Sequence, residues 1–325
     1  GMIEYAINGV RVEGGAYLGG IAGYFGGTLN DCQNTGEIAA QSTLIKDNIS
    51  YSYLGGLAGY CNTIEGGSNT STISGGGRYI GGIAGYVNEV ISDVEATANV
   101  FTTIKNDIAY LGGVVGYAIS IIRCRNDLNI NVSANCVGGI AGFANKAHEC
   151  INFGDITAKD FVGGIFGGCD LSSSYNYDLL SNYNESNIDG ENYVGGIIGG
   201  YIISLDTYYS NAYDLDISKN FNVGNVSATG NYVGGIVGKV EHLCEGSGGY
   251  FIFSYNENAG TIDGEDYVGG LAGDYRNTLY DATYGTRSGK AEVFMNKNTG
   301  NVSGNKNIGG IMGYTKGFND RYGEF

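Results

Sequence analysis

Apolar and polar residues alternate along short stretches of this chain, and paired glycines interrupt the alternation. In the segment from Cys32 to Ile38, residues Cys32, Asn34, Gly36 and Ile38 fall on one side and Gln33, Thr35 and Glu37 on the other. A period of two ending in a β-branched residue predicts a strand with one buried face and one wet face. The pattern breaks at Gly19-Gly20, which separates Leu18 from Ile21 by an odd offset of three. A bend or bulge with glycine at positive φ is expected there.

This unit repeats. The string aliphatic-Gly-Gly-aliphatic-x-Gly starts at Leu18, Leu54, Ile80, Leu111, Val137, Val162, Val194, Val233, Val268 and Ile308. The preceding residue is usually aromatic, as at Tyr17, Tyr53, Tyr79, Tyr110, Phe161, Tyr193, Tyr232 and Tyr267. A second string, Asn-x-small-x-β-branched, runs ahead of each copy. Its last position is Val12, Ile38, Ile73, Val100, Ile130, Ile156, Ile188, Val226, Ile262 or Val302, and its first is Asn in every copy but one, which has Ala96. Asn8 to Asn34 and Asn126 to Asn152 are both 26 residues apart. Strands in fixed order at this spacing predict an all-β, right-handed parallel β-helix, a β-solenoid of about ten coils, in one domain over residues 1–325. Coils rising about 4.8 Å each would span roughly 50 Å. Stacked Asn side chains would then hydrogen-bond along the axis in a ladder, with Ala96 as its weak point.

The spacing after Gly-Gly grows in the second half of the chain. Four enlarged arms, at 168–182, 200–220, 239–256 and 274–296, come from consecutive coils and should project from one side of the C-terminal half. Per-repeat insertions on one face of a solenoid often form its binding face. These arms carry Tyr175, Tyr177, Tyr201, Tyr208, Tyr209, Tyr213, Tyr250, Tyr275, Tyr280 and Tyr284, with Asp170, Asp178, Asp206, Asp214 and Asp281 nearby. Aromatic faces beside carboxylates suit sugar rings. The competing reading is that these tyrosines pack the arms onto the coil. In its favour, the residue before the third Gly is Ala22, Ala58 or Ala84 early but Phe166, Ile198, Val237 or Met312 later; alternation places it opposite the inward Ile, where the bulkier late residues need a cover that the arms can supply.

Composition narrows the classes. The chain has 59 Gly, 34 Asn and 27 Tyr in 325 residues, and no Pro or Trp, so collagen is excluded. Its 42% hydrophobic and 15% charged content argues against simple disorder. A net charge of −16 without a basic cluster makes nucleic acid a poor partner. No uninterrupted apolar run reaches the length of a transmembrane helix. Gly1 ahead of Met2 reads as an expression remnant, so an export segment is expected to have been removed.

Seven cysteines are scattered, without a C-x-x-C pair. Cys32, Cys124 and Cys150 share one inward column and Cys61 and Cys169 another, while Cys136 takes the place of the usual aromatic and Cys244 lies in an arm. Buried free thiols are favoured, although Cys124 and Cys150 fall close enough to bridge. The tracts Asp189-Gly-Glu191 and Asp263-Gly-Glu265-Asp266 could offer oxygen ligands to Ca²⁺, but other copies lack the acids, and solvated turns are expected. No catalytic residue, metal ligand or cofactor is assigned.

The repeated Gly-Gly-Ile-x-Gly string with its downstream Gly-x-Ile/Val strand resembles the GLUG repeat of bacterial surface proteins, over Asn8 to Tyr314. The resemblance implies a non-enzymatic, secreted or cell-surface adhesion or binding module that recognises a glycan or a host protein. GLUG repeats also accompany secreted metallo-endopeptidases that cut immunoglobulin A, but the His-Glu-x-x-His motif is absent: Asn152 stands where a second His would follow His148-Glu149. Two alternatives stay open, a carbohydrate-active enzyme on a parallel β-helix and a structural spacer of a larger surface protein.

Overall fold

The computed structural model describes residues 1–41, 52–97, 100–101, 108–168, 170–171, 176–204, 214–245, 250–280 and 290–317. These residues form an all-β solenoid in which all strand pairing is parallel and joins equivalent strands of successive coils. Three strand columns build ten-stranded sheets, running from Met2–Glu4 to Lys290–Phe294, from Ile7–Asn8 to Lys297–Asn298 and from Tyr17–Leu18 to Lys306–Gly309. The β-branched column forms a four-stranded sheet that ends at Val100–Phe101 and a six-stranded sheet that begins at Ile130–Asn131. None of the described residues form a helix that is long and apolar enough to cross a membrane.

The repeat register read from the sequence is the register of the sheets. Leu54 pairs with Ile80 and Ile80 with Leu111, while Ile156 pairs with Ile188 and Ile188 with Val226. Ile38, Ile73, Ile130, Ile156, Ile188, Val226 and Ile262 are buried in one stack, while Val12 and Val302 at the two ends are only partly covered. The side chain of Val100 lies outside the described residues.

The double glycine does not work as expected. Positive φ among the described glycines occurs at Gly66, Gly67, Gly75 and Gly168, none of them in the Gly-Gly pair of the repeat motif. The pair is required by close approach instead. A β-carbon on Gly139 would lie 2.3 Å from Oδ1 of Asn152, and one on Gly113 would lie 2.1 Å from Oδ1 of Asn126. A β-carbon on Gly138, the first of its pair, would meet Cα of Phe166 on the next coil at 2.4 Å. The Asn column fills the space that side chains at the second Gly would occupy. As a result the aliphatic residues on either side enter different cores: Leu54, Ile80 and Leu111 join the β-branched stack, and Leu57, Ile83 and Val114 join a second, larger cluster.

The expected amide ladder is present. Nδ2 of Asn126 donates to Oδ1 of Asn152 at 2.7 Å, and the chain of bonds continues through Asn184, Asn222 and Asn258 to Asn298 at 2.7–2.8 Å. A shorter run links Asn8, Asn34 and Asn69. At the Ala96 gap, Nδ2 of Asn69 turns to the carbonyl of Gly82 at 2.8 Å.

A second ladder was not anticipated. Two positions upstream, the column that holds Cys32, Cys124 and Cys150 continues as Asn182, Asn220, Asn256 and Asn296. Each of these amides donates to a main-chain carbonyl of the preceding coil, as Asn182 to Ala147 at 2.8 Å and Asn220 to Leu179 at 2.9 Å. The thiols of Cys32 and Cys124 reach the equivalent carbonyls of Ile3 and Ile91 at 3.6 Å. The column therefore serves one backbone acceptor, weakly with sulfur and strongly with an amide. It sits beside a corner held at positive φ by Asp93, Arg123, Glu149, Ser181 and Lys219 in successive coils. Cys32, Cys61, Cys124, Cys136 and Cys150 are buried free thiols. Burial, with a hydrogen bond to Cys150, pushes the Cys124 thiol up. Cys169 lies outside the described residues, as does the side chain of Cys244.

Candidate binding surface

The most ordered exposed feature of the solenoid is aromatic, and it lies on the first four coils. Two outward columns run side by side. One is the residue before each Gly-Gly motif, Tyr17, Tyr53, Tyr79 and Tyr110. The other follows the third Gly, at Tyr24, Tyr60, Tyr86 and Tyr117. The third Gly brings them together, because the chain turns there against the main chain of a neighbouring coil. A β-carbon on Gly85 would lie 2.5 Å from the backbone nitrogen of Leu54, and one on Gly116 would lie 2.5 Å from that of Ile80.

Within each column the rings stack nearly parallel. Centroids are 4.8, 5.1 and 5.2 Å apart from Tyr17 to Tyr110, and 4.6, 5.3 and 4.5 Å apart from Tyr24 to Tyr117. Between columns the rings meet edge to face, as Tyr17 with Tyr24 at 87° and Tyr53 with Tyr60 at 90°. The eight rings form a herringbone that combines offset stacking with T-shaped contact, the two geometries aromatic quadrupoles favour. Tyr24 is 63% exposed and Tyr17 38%, and the other six are half-buried. Burial, reinforced by neighbouring tyrosines, raises the Tyr60 and Tyr86 hydroxyls above the ordinary phenol value. A phenol is uncharged near pH 7, so the strip is neutral in a chain that is otherwise acidic. The guanidinium of Arg78 lies 5.6 Å from the centre of the Tyr79 ring.

Farther along, the herringbone gives way. The column after the third Gly becomes Phe143, which is buried, then Gly168, Gly200, Lys239 and Asp274. The other column resumes as a single stack, Phe161, Tyr193, Tyr232 and Tyr267, with centroids 4.4–4.9 Å apart. A charged quartet replaces the missing rings. Lys239 faces Asp274 and Glu241 faces Arg276 across adjacent strands. Along the strands, Lys239 meets Glu241 at 2.7 Å and Asp274 meets Arg276 at 2.9 Å. Burial raises the Asp274 carboxyl, and the Arg276 hydrogen bond partly offsets this.

The arm tyrosines divide into three groups. Tyr177, Tyr201 and Tyr275 are buried in the larger core, with Tyr177 and Tyr201 in edge contact at 4.7 Å, so they fill the coil and do not form a ligand face. The cause is that the arms open within a strand column: Ile198–Ser204 and Leu215–Ser218 flank one of them, and inward positions on both pieces need filling. Tyr250 is exposed at the start of Tyr250–Ser254. Tyr280 ends the strand Ala272–Tyr280, with its side chain outside the described residues, as are Tyr175, Tyr208, Tyr209, Tyr213 and Tyr284 altogether. Phe166, Ile198 and Val237, expected to face away from the core and need a cover, belong to the core itself.

Acidic residues at the arm bases fall into register. Asp178 pairs with Asp216 on the next coil, with Lys146 on the coil before. Lys146 lies 3.1 Å from Asp178. Asp216 takes a hydrogen bond from Ser218, and burial raises its carboxyl. The tracts weighed for Ca²⁺ hold Asp189 and Asp263, which accept hydroxyl hydrogen bonds from Ser227 and Ser303 on the following coils. Sequence reasoning missed the Tyr24, Tyr60, Tyr86 and Tyr117 column, although Tyr after the third Gly in four consecutive copies signalled it. No protein-family model, curated protein or solved structure matches this chain.

Proposed function

We propose that this chain is a non-enzymatic binding module, displayed outside the cell, whose contact surface is the tyrosine herringbone of the first four coils. The observation that carries this reading is the double column itself: eight neutral rings at a repeat of about 5 Å on a scaffold that fixes every one of them. A ridged, uncharged, aromatic strip is suited to an extended neutral glycan lying along the solenoid axis, since sugar C–H groups pack on the exposed ring edges and sugar hydroxyls meet the Tyr hydroxyls. The resemblance to GLUG-repeat surface proteins supports the same class. The test is retention on a panel of neutral polysaccharides. Native protein should be retained, Tyr60→Ala/Tyr86→Ala should lose retention while keeping the coil folded, and Tyr250→Ala on the late half should behave as native. Absence of native retention removes the glycan reading, and equal retention of the double variant moves the surface elsewhere.

One observation favours an enzyme instead: Asp178 and Asp216 stand on adjacent strands at the same register, their backbones about 5 Å apart by strand spacing, so their carboxyl groups are neighbours. That proximity suits paired carboxylates in a retaining glycosidase. Release of reducing ends from a polysaccharide, lost in Asp216→Asn, would replace the binding reading.

A further inference from the structure

The tyrosine strip carries a length scale, and the scale is the rise of the solenoid. Ring centroids stand 4.8, 5.1 and 5.2 Å apart along one column and 4.6, 5.3 and 4.5 Å apart along the other. Ring planes within a column stay within 7–11° of parallel, so every coil presents its two phenol edges at one angle. Strand pairing enforces the period: Tyr79 is in register with Tyr53 and Tyr110, and Tyr86 with Tyr60 and Tyr117. The strip also has a fixed length. On the fifth coil the two columns hold Cys136 and Phe143, both buried, so the paired rows stop after four coils.

Taking the strip as a glycan site, as proposed above, we infer that its ligand is a straight, β-1,4-linked neutral polysaccharide of glucose, mannose or N-acetylglucosamine type, aligned with the solenoid axis and read at one sugar per coil. In such a chain both linking bonds leave the pyranose equatorially from opposite ends of the ring. Each residue then adds one ring length, about 5 Å, which is also the spacing of paired strands. An axial bond at C1, as in α-1,4-linked glucans, or a 1,3 link curls the chain into a helix that falls out of step with the coils. Successive residues of the straight chain are turned over. The strip accommodates this because each coil supplies one phenol from each column, and a phenol hydroxyl both donates and accepts. Contacts add along the strip only while ligand and coils keep the same period, as linked sites do when the linker matches their span. Charge narrows the ligand further. The chain carries a net −16, and a single cation–π contact, from Arg78, falls on the rings of the strip among the described residues, so polyuronates and sulfated chains are repelled.

Isothermal titration calorimetry of the full chain with oligosaccharides of graded length tests this. Cello-, manno- and chito-oligosaccharides should gain affinity with each added sugar up to four, the number of coils in the strip, and level off beyond. The β-1,4-linked tetrasaccharide should bind at least about tenfold tighter than the disaccharide. Malto- and laminari-oligosaccharides of equal length should bind at least about tenfold more weakly and show no such rise. Tyr86→Ala interrupts the row on an inner coil, so the β-1,4-linked tetrasaccharide should fall to the affinity of the disaccharide, with circular dichroism reporting that the coil is intact. Equal affinity for maltohexaose and cellohexaose, or affinity that keeps rising past four sugars, would overturn the one-sugar-per-coil register while leaving a glycan-binding strip. An unchanged length dependence in folded Tyr86→Ala would overturn the assignment to these rings. Absence of binding to every neutral glycan would overturn the register and the glycan reading together.

Discussion

Removing one rung from the middle of the amide ladder is the most direct perturbation of what holds the coils together. Asn152 is 0% exposed and takes part in four hydrogen bonds. Its Oδ1 accepts from Nδ2 of Asn126 at 2.7 Å and from the backbone nitrogen of Gly154 at 3.3 Å. Its Nδ2 donates to Oδ1 of Asn184 at 2.8 Å and to the carbonyl of Gly154 at 2.9 Å. Asn152→Ala deletes all four bonds and leaves partners on two coils unsatisfied. At about 1 kcal/mol for each lost bond, the expected cost is about 3–5 kcal/mol. The natural gap at Ala96 is gentler because it is compensated. Ser71 donates to Oδ1 of Asn69 at 2.8 Å and accepts from Nδ2 of Asn34 at 2.9 Å, and Asn69 turns to Gly82. Leu128, which stands where Ser71 does on the coil before Asn152, offers no such hydroxyl. Urea unfolding followed by tyrosine fluorescence gives the global loss, and amide hydrogen exchange around Asn126 and Asn184 shows whether it is local, since stacked repeats can open in segments. Asn8→Ala, at the ladder's open start, should cost about 1 kcal/mol. A loss below about 1 kcal/mol for Asn152→Ala would mean that strand pairing and apolar stacking carry the coil and that the ladder is incidental.

Gly142→Val should cost about 3 kcal/mol or more, because a β-carbon there lies 2.4 Å from the backbone nitrogen of Leu111. Gly26→Ala, with nothing within 4 Å, and Ala22→Val should be mild, and thermal melts of the three rank them. Ile156→Ala should cost about 2–5 kcal/mol through the cavity left in the β-branched stack, measured by the same unfolding assay. Asp216 has its carboxyl raised above 3.8 by burial, so its folded form holds the proton more tightly. Its contribution to stability is complete below the unfolded value and is lost as pH rises through the folded one. Asp216→Asn should therefore flatten the fall in stability just above pH 3.8, and an unchanged pH profile would count against burial as the cause of the shift.

The backbone architecture was legible because each coil repeats the same sum of preferences. Ile38, Ile156 and Ile262 mark the same inward position at the same place in every unit, and no other strand register keeps them together. What sequence could not show was the cause of each constraint. Gly139 and Gly20 look like flexible turn residues, yet their function is to leave room for Asn152 and Asn34, and that room is visible only once coils are stacked. The change from Cys124 to Asn182 in one column likewise looks like drift until both are seen to reach a main-chain carbonyl of the coil before. Tyrosine was the least legible residue. Its amphipathic ring suits a core, a stack or a ligand face equally well, and Tyr177 and Tyr24 differ in burial for reasons set by neighbouring coils.

That division of tyrosines has a single geometric origin. In the early coils the strand after Gly-Gly is one piece, as in Ala84–Ser92, and its inward positions hold small or medium groups such as Ala84, Val87 and Ile91. Little aromatic bulk fits inside, so rings at both outward columns are left to stack on one another along the axis. In the late coils the same strand column is divided around an arm, and large side chains fill the interior: Phe166, Tyr177, Tyr201, Phe251 and Phe253 are all buried. Outward, the column beside Tyr193 and Tyr232 becomes Gly200 and Lys239, so a second ring is missing wherever the core has gained one. A continuous aromatic face needs two adjacent columns to be aromatic on the same coils, and only the first four coils satisfy that condition. The arms enlarge the late half, but the regular array that a long, repetitive ligand could follow belongs to the half without them.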